Sequence, residues 1–402
     1  MTSSSVIVPP DVAREVIELR RDIHRHPELG FEEVRTAAIV AERLERLGFE
    51  VRTKIGGTGV VGIMRSKRPG RTILLRADMD ALPIQEETGL PFASANDGKM
   101  HACGHDGHVA ILLGAAQIIA KRQEELSGTI VLCFQPAEEG KGGAREMIRA
   151  GVLEDPHIDR VYGLHLLSQA PSGVIRVRPG PVMASSDSIE ITIHGKGGHG
   201  AAPHETNDPI LTAAHFITAL QSVVSRKIEP VEPAVVTIGA IHGGTIHNVI
   251  PDDVRLLGTV RAFSPEVRAQ MEPRIQTILR GCCDAHGATY DLNYEWRYPV
   301  TANDPDEAAY VRALASRILG EGRSEDMRPT MGAEDFSFML EQRPGCFFFL
   351  GTQRDESTSA PHHNARFSID EGALETGVRM MVALALDAPA PAPPADADSK
   401  QR

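Results

Sequence analysis

The chain has 402 residues, of which 42% are hydrophobic and 24% charged, and its formal net charge is -12. These proportions are ordinary for a globular protein, and the length allows two domains because single cores stop growing near about 250 to 300 residues. The acidic balance and the lack of a basic stripe argue against nucleic acid as a partner.

The N-terminus and the cysteines indicate the compartment. The first residues, MTSSSVIVPP, have neither the charged nor the apolar part of a secretory signal. No stretch approaches the roughly 18 uninterrupted apolar residues of a membrane-spanning helix. Five cysteines are an odd number in a long chain and match a disulfide framework poorly. We therefore predict a cytoplasmic protein that has no membrane contact.

Helical and strand patterns alternate over residues 1–184. Apolar residues have helical spacing in DVAREVIELRRDIHRH and VRTAAIVAERLERLG, and the strand-like runs are GVVGIM, TILLRAD, TIVLCFQ and RVYGLHL. HVAILLGAAQIIAKRQEEL, between the second and third runs, indicates a buried helix. This alternation predicts an α/β domain with a mostly parallel sheet and helices on both faces.

Residues 185–300 have a different pattern. SDSIEITIHG alternates strictly, and a long helix, two strands, a second helix and a last strand follow it, which is the β-α-β-β-α-β order of a ferredoxin-like α+β domain. The α/β pattern resumes over residues 301–386. We therefore predict one α/β domain interrupted by an insertion, followed by a Pro/Ala/Asp-rich, disordered tail over residues 387–402.

MHACGHDGH, residues 100–108, concentrates potential metal ligands. Cys103 and His105 are two residues apart with a glycine between them, so a loop could direct both side chains to one centre. His101 and His108 are interpreted more simply, as polar residues of the loop and of the helix start.

Further candidates follow or interrupt apolar strands. QPAEEG ends one strand with Glu138 and Glu139; in an extended segment neighbouring side chains point in opposite directions, so one can bind a metal while the other faces a bound water. His165 interrupts the apolar run YGLHLL, and in PHHNARF either His362 or His363 could be a ligand.

A second acidic strand end is RADMDALP, with Asp78 and Asp80. Beside a metal, Asp80 could orient a ligand imidazole without binding the ion itself.

Cysteine, histidine and glutamate together suit zinc, manganese, cobalt or nickel better than magnesium or calcium. Five such ligands exceed the four that one tetrahedral structural zinc needs. Two divalent ions about 3.5 to 4 Å apart, sharing a carboxylate, can activate a water and polarise a carbonyl together.

The motifs RADMDALP, MHACGHDGH, QPAEEG, GLHL, GKGGHGAAPH, GGTIHNVIPD, GTVRAF, GAEDFS and HNARF resemble, in order and spacing, a known family. It is the metal-dependent amidohydrolase and peptidase family of hippurate hydrolases, N-acyl-amino-acid amidohydrolases and indoleacetyl-amino-acid hydrolases, with carboxypeptidase G and the aminoacylases as distant members. The resemblance covers nearly the whole chain before the tail.

The resemblance implies two divalent ions, Zn²⁺ or Mn²⁺, with Co²⁺ or Ni²⁺ as alternatives. Their ligands would be Cys103, His105, Glu139, His165 and His363. The family's last motif usually reads Leu-His-Asn-Pro, so His362 takes the leucine place and Ala365 the proline place. This departure leaves the choice between His362 and His363 open.

The same resemblance implies the catalytic residues. Glu138 would be the general base, beside Asp80, and His199 would stabilise the oxyanion in the active site of a neighbouring subunit. The insertion would thus be a lid and a dimerisation domain, in a homodimer or higher homo-oligomer. Asn248 and Arg261 would hold the substrate carboxylate, for which arginine offers a bidentate fork.

The function implied is hydrolysis of N-acyl-L-amino acids to a carboxylic acid and a free amino acid. The alternatives are an N-acetyl-diamino-acid deacetylase, a dipeptidase or a carboxypeptidase of the same family. A metal-binding protein without catalysis would need none of Glu138, His199 and Arg261. The acyl pocket has no spacing signal, so the acyl group and the native metal stay open.

Overall fold

The computed structural model describes residues 6–387, so the predicted tail after Asp387 lies outside the described residues. Contacts divide the chain into two compact units. The α/β unit contains the described residues up to Gly180, then Ala302–Arg328, then those from Phe338 onward, and the inserted unit contains Pro181–Thr301 and Pro329–Ser337. The predicted insertion covers residues 185–300; the observed unit begins slightly earlier and adds the separate segment Pro329–Ser337.

The helices are α1 (Pro10–Arg25), α2 (Val34–Arg46), α3 (His105–Lys121), α4 (Glu138–Lys141), α5 (Gly143–Arg149), α6 (Pro209–Lys227), α7 (Pro265–His286), α8 (Pro305–Leu319), α9 (Ser337–Leu340) and α10 (Ala373–Leu386). The strands are β1 (Glu50–Ile55), β2 (Gly59–Arg65), β3 (Thr72–Asp78), β4 (Thr129–Gln135), β5 (Arg160–Pro171), β6 (Ile175–Val177), β7 (Gly180–Met183), β8 (Ser186–His194), β9 (Gly198–His199), β10 (Ala234–His242), β11 (Val249–Ile250), β12 (Asp253–Ala262), β13 (Thr289–Tyr298), β14 (Thr301–Asn303), β15 (Ser324–Asp326) and β16 (Gly345–Gln353). None of the helices within residues 6–387 combines the length and apolar character that a membrane crossing requires.

The α/β unit is built on an eight-stranded sheet with the order β1-β2-β4-β3-β5-β16-β6-β15. Its central pairs, β4 with β3, β3 with β5 and β5 with β16, are parallel, and so is β6 with β15. The strands β3, β4 and β16 are buried along almost their whole length, which requires cover on both faces. The mostly parallel α/β sheet predicted from the sequence is confirmed.

The inserted unit has the predicted order β8, α6, β10, β12, α7, β13, and its four strands pair antiparallel in the order β10-β12-β8-β13. Residues of β8 alternate between buried and half-buried, and Ile189, Ile191 and Ile193 face the core of this unit. Both helices begin at side-chain caps: the carboxylate of Asp208 accepts from two N–H groups of α6, and the hydroxyl of Ser264 accepts from one of α7. The ferredoxin-like arrangement follows from this alternation and these helix starts.

Strand β1 was not expected from the sequence. It pairs antiparallel with β2 at the edge of the large sheet, and its residues are exposed or half-buried throughout. An edge strand with no buried face has no alternation of apolar residues, so it lacks the pattern on which the other strands were predicted.

Candidate metal centre

The site begins where two parallel strands end. Asp78 of β3 lies opposite Gln135 of β4, so the segments that follow both strands leave the sheet at the same edge. Asp80 is in the first segment, and Glu138 and Glu139 are in the second. Ligand sites in α/β sheets gather at this edge.

A tight turn presents the two glutamates. Ala137 has a φ of 55°, and Glu138 begins the short α4, so this segment is not extended. The expectation that Glu138 and Glu139 point in opposite directions along a strand is therefore wrong. A left-handed residue ends the strand, and an oxygen of each carboxylate lies within 4.8 Å of the other and of a ring nitrogen of His105.

Two buried carboxylates hold this turn by its backbone. The oxygens of Asp80 accept hydrogen bonds from the N–H groups of Glu138, at 3.0 Å, and of Glu139, at 2.9 Å. Oε1 of Glu33 accepts from the N–H group of Ala137 at 2.9 Å. Left-handed backbone is strained for alanine, and these bonds stabilise it.

His105 is oriented by the main chain of Asp80, the residue expected to orient a ligand imidazole. Its Nδ1 donates to the main-chain oxygen of Asp80 at 2.8 Å, while the Asp80 carboxylate lies at 3.4 Å. Nε2 of His105 is buried and has no hydrogen-bond partner among the described residues. Burial alone would lower the pKa of His105, but the charges of Asp78 and Asp80 raise it to about 10. This nitrogen therefore faces surroundings that favour a cation.

Cys103, in the segment before α3, and His165, on β5, converge. Gly104, with a φ of 94°, makes the turn between Cys103 and the start of α3. Nδ1 of His165 donates to the main-chain oxygen of Leu166 at 2.7 Å, and its Nε2 lies 3.6 Å from Sγ of Cys103. Burial and then the nearby glutamates raise the pKa of the Cys103 thiol well above its usual value, so this sulfur needs a cation beside it to be a thiolate.

The two histidines of PHHNARF have different surroundings. Nε2 of His363 lies 3.1 Å from Oε1 of Glu139, and His363 has a φ of 63°. Nε2 of His362 instead donates to the main-chain oxygen of Leu166 at 2.9 Å, and its ring packs on that of His165. Burial lowers the pKa of His362 to about 4. Only His363 of this pair has a ring nitrogen grouped with the other candidate ligands.

The candidate ligands form overlapping groups, in each of which the donor atoms lie within 4.8 Å of one another. Three such groups within the α/β unit consist only of predicted site residues: Cys103, His105 and His165; Cys103, Glu139 and His363; and His105, Glu138 and Glu139. Cys103, His105 and Glu139 each belong to two of these three groups, and of the three side chains the carboxylate of Glu139 has two oxygens with which it could be shared between two ions. Nε2 of His105 is buried without a hydrogen-bond partner among the described residues, and the sulfur, imidazole and carboxylate donors gathered around it are of the kinds that bind divalent metal ions.

The other predicted site residues lie in the inserted unit. His199 is exposed on β9, and its neighbour across the two-stranded ribbon is Val249 of β11. The N–H group of Gly200 donates to the main-chain oxygen of Asn248 at 2.8 Å, so His199 and Asn248 lie near each other on the two sides of this ribbon. Arg261 is on β12, in the four-stranded sheet of the inserted unit, and its Nη1 donates to the main-chain oxygen of Val260 at 3.1 Å.

Sequence patterns missed two supporting groups. Glu33 contacts a residue 104 positions away and has no local signature. His108, interpreted as a simple polar residue, is fully enclosed and donates from Nδ1 to Oδ1 of Asp78 at 2.5 Å. The crowding of histidines in MHACGHDGH was the one signal that could have suggested its role.

Residues 74–387 match the family model described as peptidase family M20/M25/M40. The chain belongs to this family. Among similar proteins, Thermostable carboxypeptidase 1 of Saccharolobus solfataricus is 44% identical over 92% of this chain and 94% of its own length. The hippurate hydrolase of Campylobacter jejuni is 40% identical over 94% of this chain and 97% of its own length.

A solved structure supports the same membership. A Bacillus subtilis protein, described as a dinuclear metal binding peptidase from the M20 family, is 36% identical, with a TM-score of 0.82 over 94% of this chain and 98% of that chain. This member of the M20/M25/M40 family is thus a metal-dependent enzyme of the amidohydrolase and peptidase class.

Proposed function

We propose that this enzyme hydrolyses N-acyl-L-amino acids to a carboxylic acid and a free amino acid, with two divalent ions held by Cys103, His105, Glu139, His165 and His363. The observation that carries the proposal is the convergence of these donors, far apart in the sequence, beside the carboxylate of Glu138. The names of the hippurate hydrolase and of the dinuclear peptidase support it.

Each protein group has a distinct task in this proposal. When bound, the two ions acidify a coordinated water and polarise the scissile carbonyl. Glu138 takes the proton of the attacking water and passes it to the leaving amine, while Asp80 holds the turn that carries Glu138. His199 would donate to the developing oxyanion, and Asn248 and Arg261 would hold the substrate carboxylate.

Peptide hydrolysis is the second candidate, because the relative of 44% identity is named a carboxypeptidase. Removal of an acetyl group from a diamino acid is a variant of the hydrolysis of N-acyl amino acids.

An assay panel separates hydrolysis of N-acyl amino acids from hydrolysis of peptides. The metal-stripped protein is re-loaded with zinc, manganese, cobalt or nickel and assayed on N-benzoyl, N-acetyl, N-indoleacetyl and long-chain N-acyl amino acids and on dipeptides. We expect at least one metal to restore cleavage of N-acyl amino acids. Faster cleavage of dipeptides would favour the alternative, and no cleavage of any substrate by a loaded protein would contradict both.

The last ligand can be tested by metal content. We expect His363→Ala to lower the number of tightly bound ions per chain, because its Nε2 is grouped with Cys103 and Glu139. His362→Ala should keep the full number at saturating metal, since its Nε2 already donates to Leu166. The measurement is equilibrium dialysis at saturating metal, followed by elemental analysis of both compartments. Loss of an ion from His362→Ala alone would reverse the assignment.

We also propose a homodimer formed through the inserted unit. Strand β10 is at the edge of its sheet, and Ile241 on it is 51% exposed. Ile210, Ile246 and Val249, also exposed, line a shallow cavity of about 480 Å³ in the same unit. Unpaired edges and exposed apolar residues of this kind are typical of interfaces.

Sedimentation velocity tests the dimer. We expect Ile241→Lys to shift the protein toward monomer, because a charge would be buried at the interface. Ile7→Lys, at a more exposed isoleucine of the α/β unit, is the control and should leave the dimer intact. A monomeric unmodified protein would refute the proposal.

A cytoplasmic location also remains part of the proposal. The five cysteines are all described, and all are free thiols. Free thiols throughout are usual in a reducing compartment.

A further inference from the structure

The main chain of one residue next to the candidate metal centre, Leu166, is contacted by three histidines. The N–H group of Leu166 donates to Nε2 of His108 at 2.9 Å. The oxygen of Leu166 accepts from Nδ1 of His165 at 2.7 Å and from Nε2 of His362 at 2.9 Å. The function proposed above uses His165 and leaves His108 and His362 without a role.

These bonds decide where each ring carries its proton. Because Nε2 of His108 accepts, its proton is on Nδ1, which donates to Oδ1 of Asp78 at 2.5 Å. The other oxygen of Asp78 accepts from Nη1 of the buried Arg76 at 2.8 Å. A chain of hydrogen bonds therefore leads from the interior of β3 to the N–H group of Leu166, in the peptide unit that joins His165 to Leu166.

The carbonyl oxygen of Leu166 determines which ring nitrogen of His165 carries the proton. Since Nδ1 of His165 donates to this carbonyl, its Nε2 keeps the lone pair, and Nε2 lies 3.6 Å from Sγ of Cys103. A rotation of this carbonyl group would break that donation and turn the ring. His362 opposes the rotation directly through its bond to the oxygen, and His108 fixes the N–H group on the other side of the Leu166 Cα, so the backbone is held before and after this residue.

We propose that His108 and His362 are positioning residues that hold the main chain of Leu166 on the two sides of its Cα, so that His165 presents Nε2 to a metal ion. The inference rests on the proposed function, because it takes His165 as a ligand. It gives a reason for the histidine that stands at position 362, where the resembling family usually has leucine. His362 is thereby a feature of this chain's own site.

The test compares variants that remove each hydrogen bond with variants that restore it. In His362→Leu the bond to the Leu166 oxygen is lost, whereas in His362→Gln an amide N–H can replace it. His108→Leu and His108→Gln form the corresponding pair, because a glutamine amide can accept from Leu166 and donate to Asp78. The readouts are Co²⁺ affinity by chelator competition, the cobalt absorption spectrum, and the Tm of the metal-free protein.

We expect each leucine variant to bind one Co²⁺ about 10- to 100-fold more weakly, with an altered spectrum, as is usual when the partner of a ligand is removed. The glutamine variants should recover most of the affinity. Co²⁺ binding unchanged in His362→Leu would overturn the proposal. So would equal losses in the leucine and glutamine variants with an equal fall in the metal-free Tm, because that result indicates packing alone. If His108→Leu does not fold, the His362 pair decides.

A further variant distinguishes failure of this inference from failure of the proposed function. We expect His165→Ala to bind one Co²⁺ fewer per chain. If it still binds the full number, His165 is not a ligand, and the ligand assignment fails together with the inference. If it loses an ion while the His362 and His108 variants bind normally, only the inference fails.

Discussion

Glu138→Gln is expected to lower kcat by about 10²- to 10⁴-fold, the usual contribution of a general base. Glutamine has nearly the same shape but cannot take a proton from the attacking water. The N–H group of residue 138 can still donate to Asp80, so the turn should keep its conformation. We therefore expect the metal content and the KM to change little. Steady-state kinetics and elemental analysis on the same preparation measure all three quantities.

A matched variant separates this effect from a loss of charge. Glu146, on α5 soon after the site, pairs with Arg149 and belongs to none of the candidate metal groups. Glu146→Gln should leave kcat within a factor of about two, since it touches no reacting group. Full turnover by Glu138→Gln would exclude this residue as the base. A loss of bound metal from that variant would instead make Glu138 a ligand.

Asp187→Ala is expected to reduce the free energy of unfolding of the inserted unit by about 3 to 5 kcal/mol, as when one partner of a buried ion pair is removed. Asp187 is 1% exposed and accepts from the guanidinium of Arg268, with 2.6 Å to Nη2. It also accepts from the hydroxyl of Tyr294, at 2.9 Å, and the N–H group of Arg297, at 3.1 Å. Without this carboxylate, Arg268 remains buried as an unpaired charge.

Urea unfolding followed by tryptophan fluorescence measures this loss, because the chain's one tryptophan, Trp296, lies in the inserted unit. The ring of Trp296 packs on the guanidinium of Arg268, 4.7 Å from the ring centre, so we compare transition midpoints and not intensities. Glu190→Ala is the control: Glu190 is on the same strand, β8, and pairs with Arg255 at the surface. Its midpoint should not change measurably. Equal shifts in both variants would show that Asp187 has no special role.

Much of the site could be predicted because its residues follow local patterns. The strands TILLRAD and TIVLCFQ have the same bounds as β3 and β4, since continuous apolar runs are typical of strands buried on both faces. Parallel neighbouring strands then bring Asp80 and Glu138 to one edge of the sheet. Cys103 and His105, two residues apart around a glycine, required no tertiary information to be chosen as candidates.

Other features depended on contacts that no local pattern encodes. The turn at Ala137 is held by Glu33, which lies 104 residues before it, and by Asp80, which lies 57 residues before it. Because no local pattern signals this turn, the prediction that Glu138 and Glu139 point in opposite directions along a strand was wrong. The choice between His362 and His363 also depended on distant groups, because the oxygen of Leu166 bonds one ring and Glu139 lies beside the other. Both residues look alike in the sequence.

The sequence by itself determined the α/β sheet, the ferredoxin-like insertion and the types of donor at the centre, because hydrophobic periodicity and side-chain chemistry are properties of short segments. Only the tertiary structure decided which nitrogen of each histidine is available, which carboxylates hold the turn after β4, and that Pro329–Ser337 packs with the insertion. These features arise from packing and from hydrogen bonds between side chains and backbone groups, most of them far apart in the chain. Because every residue except proline carries the same backbone donor and acceptor, no local pattern shows which of these groups will be used.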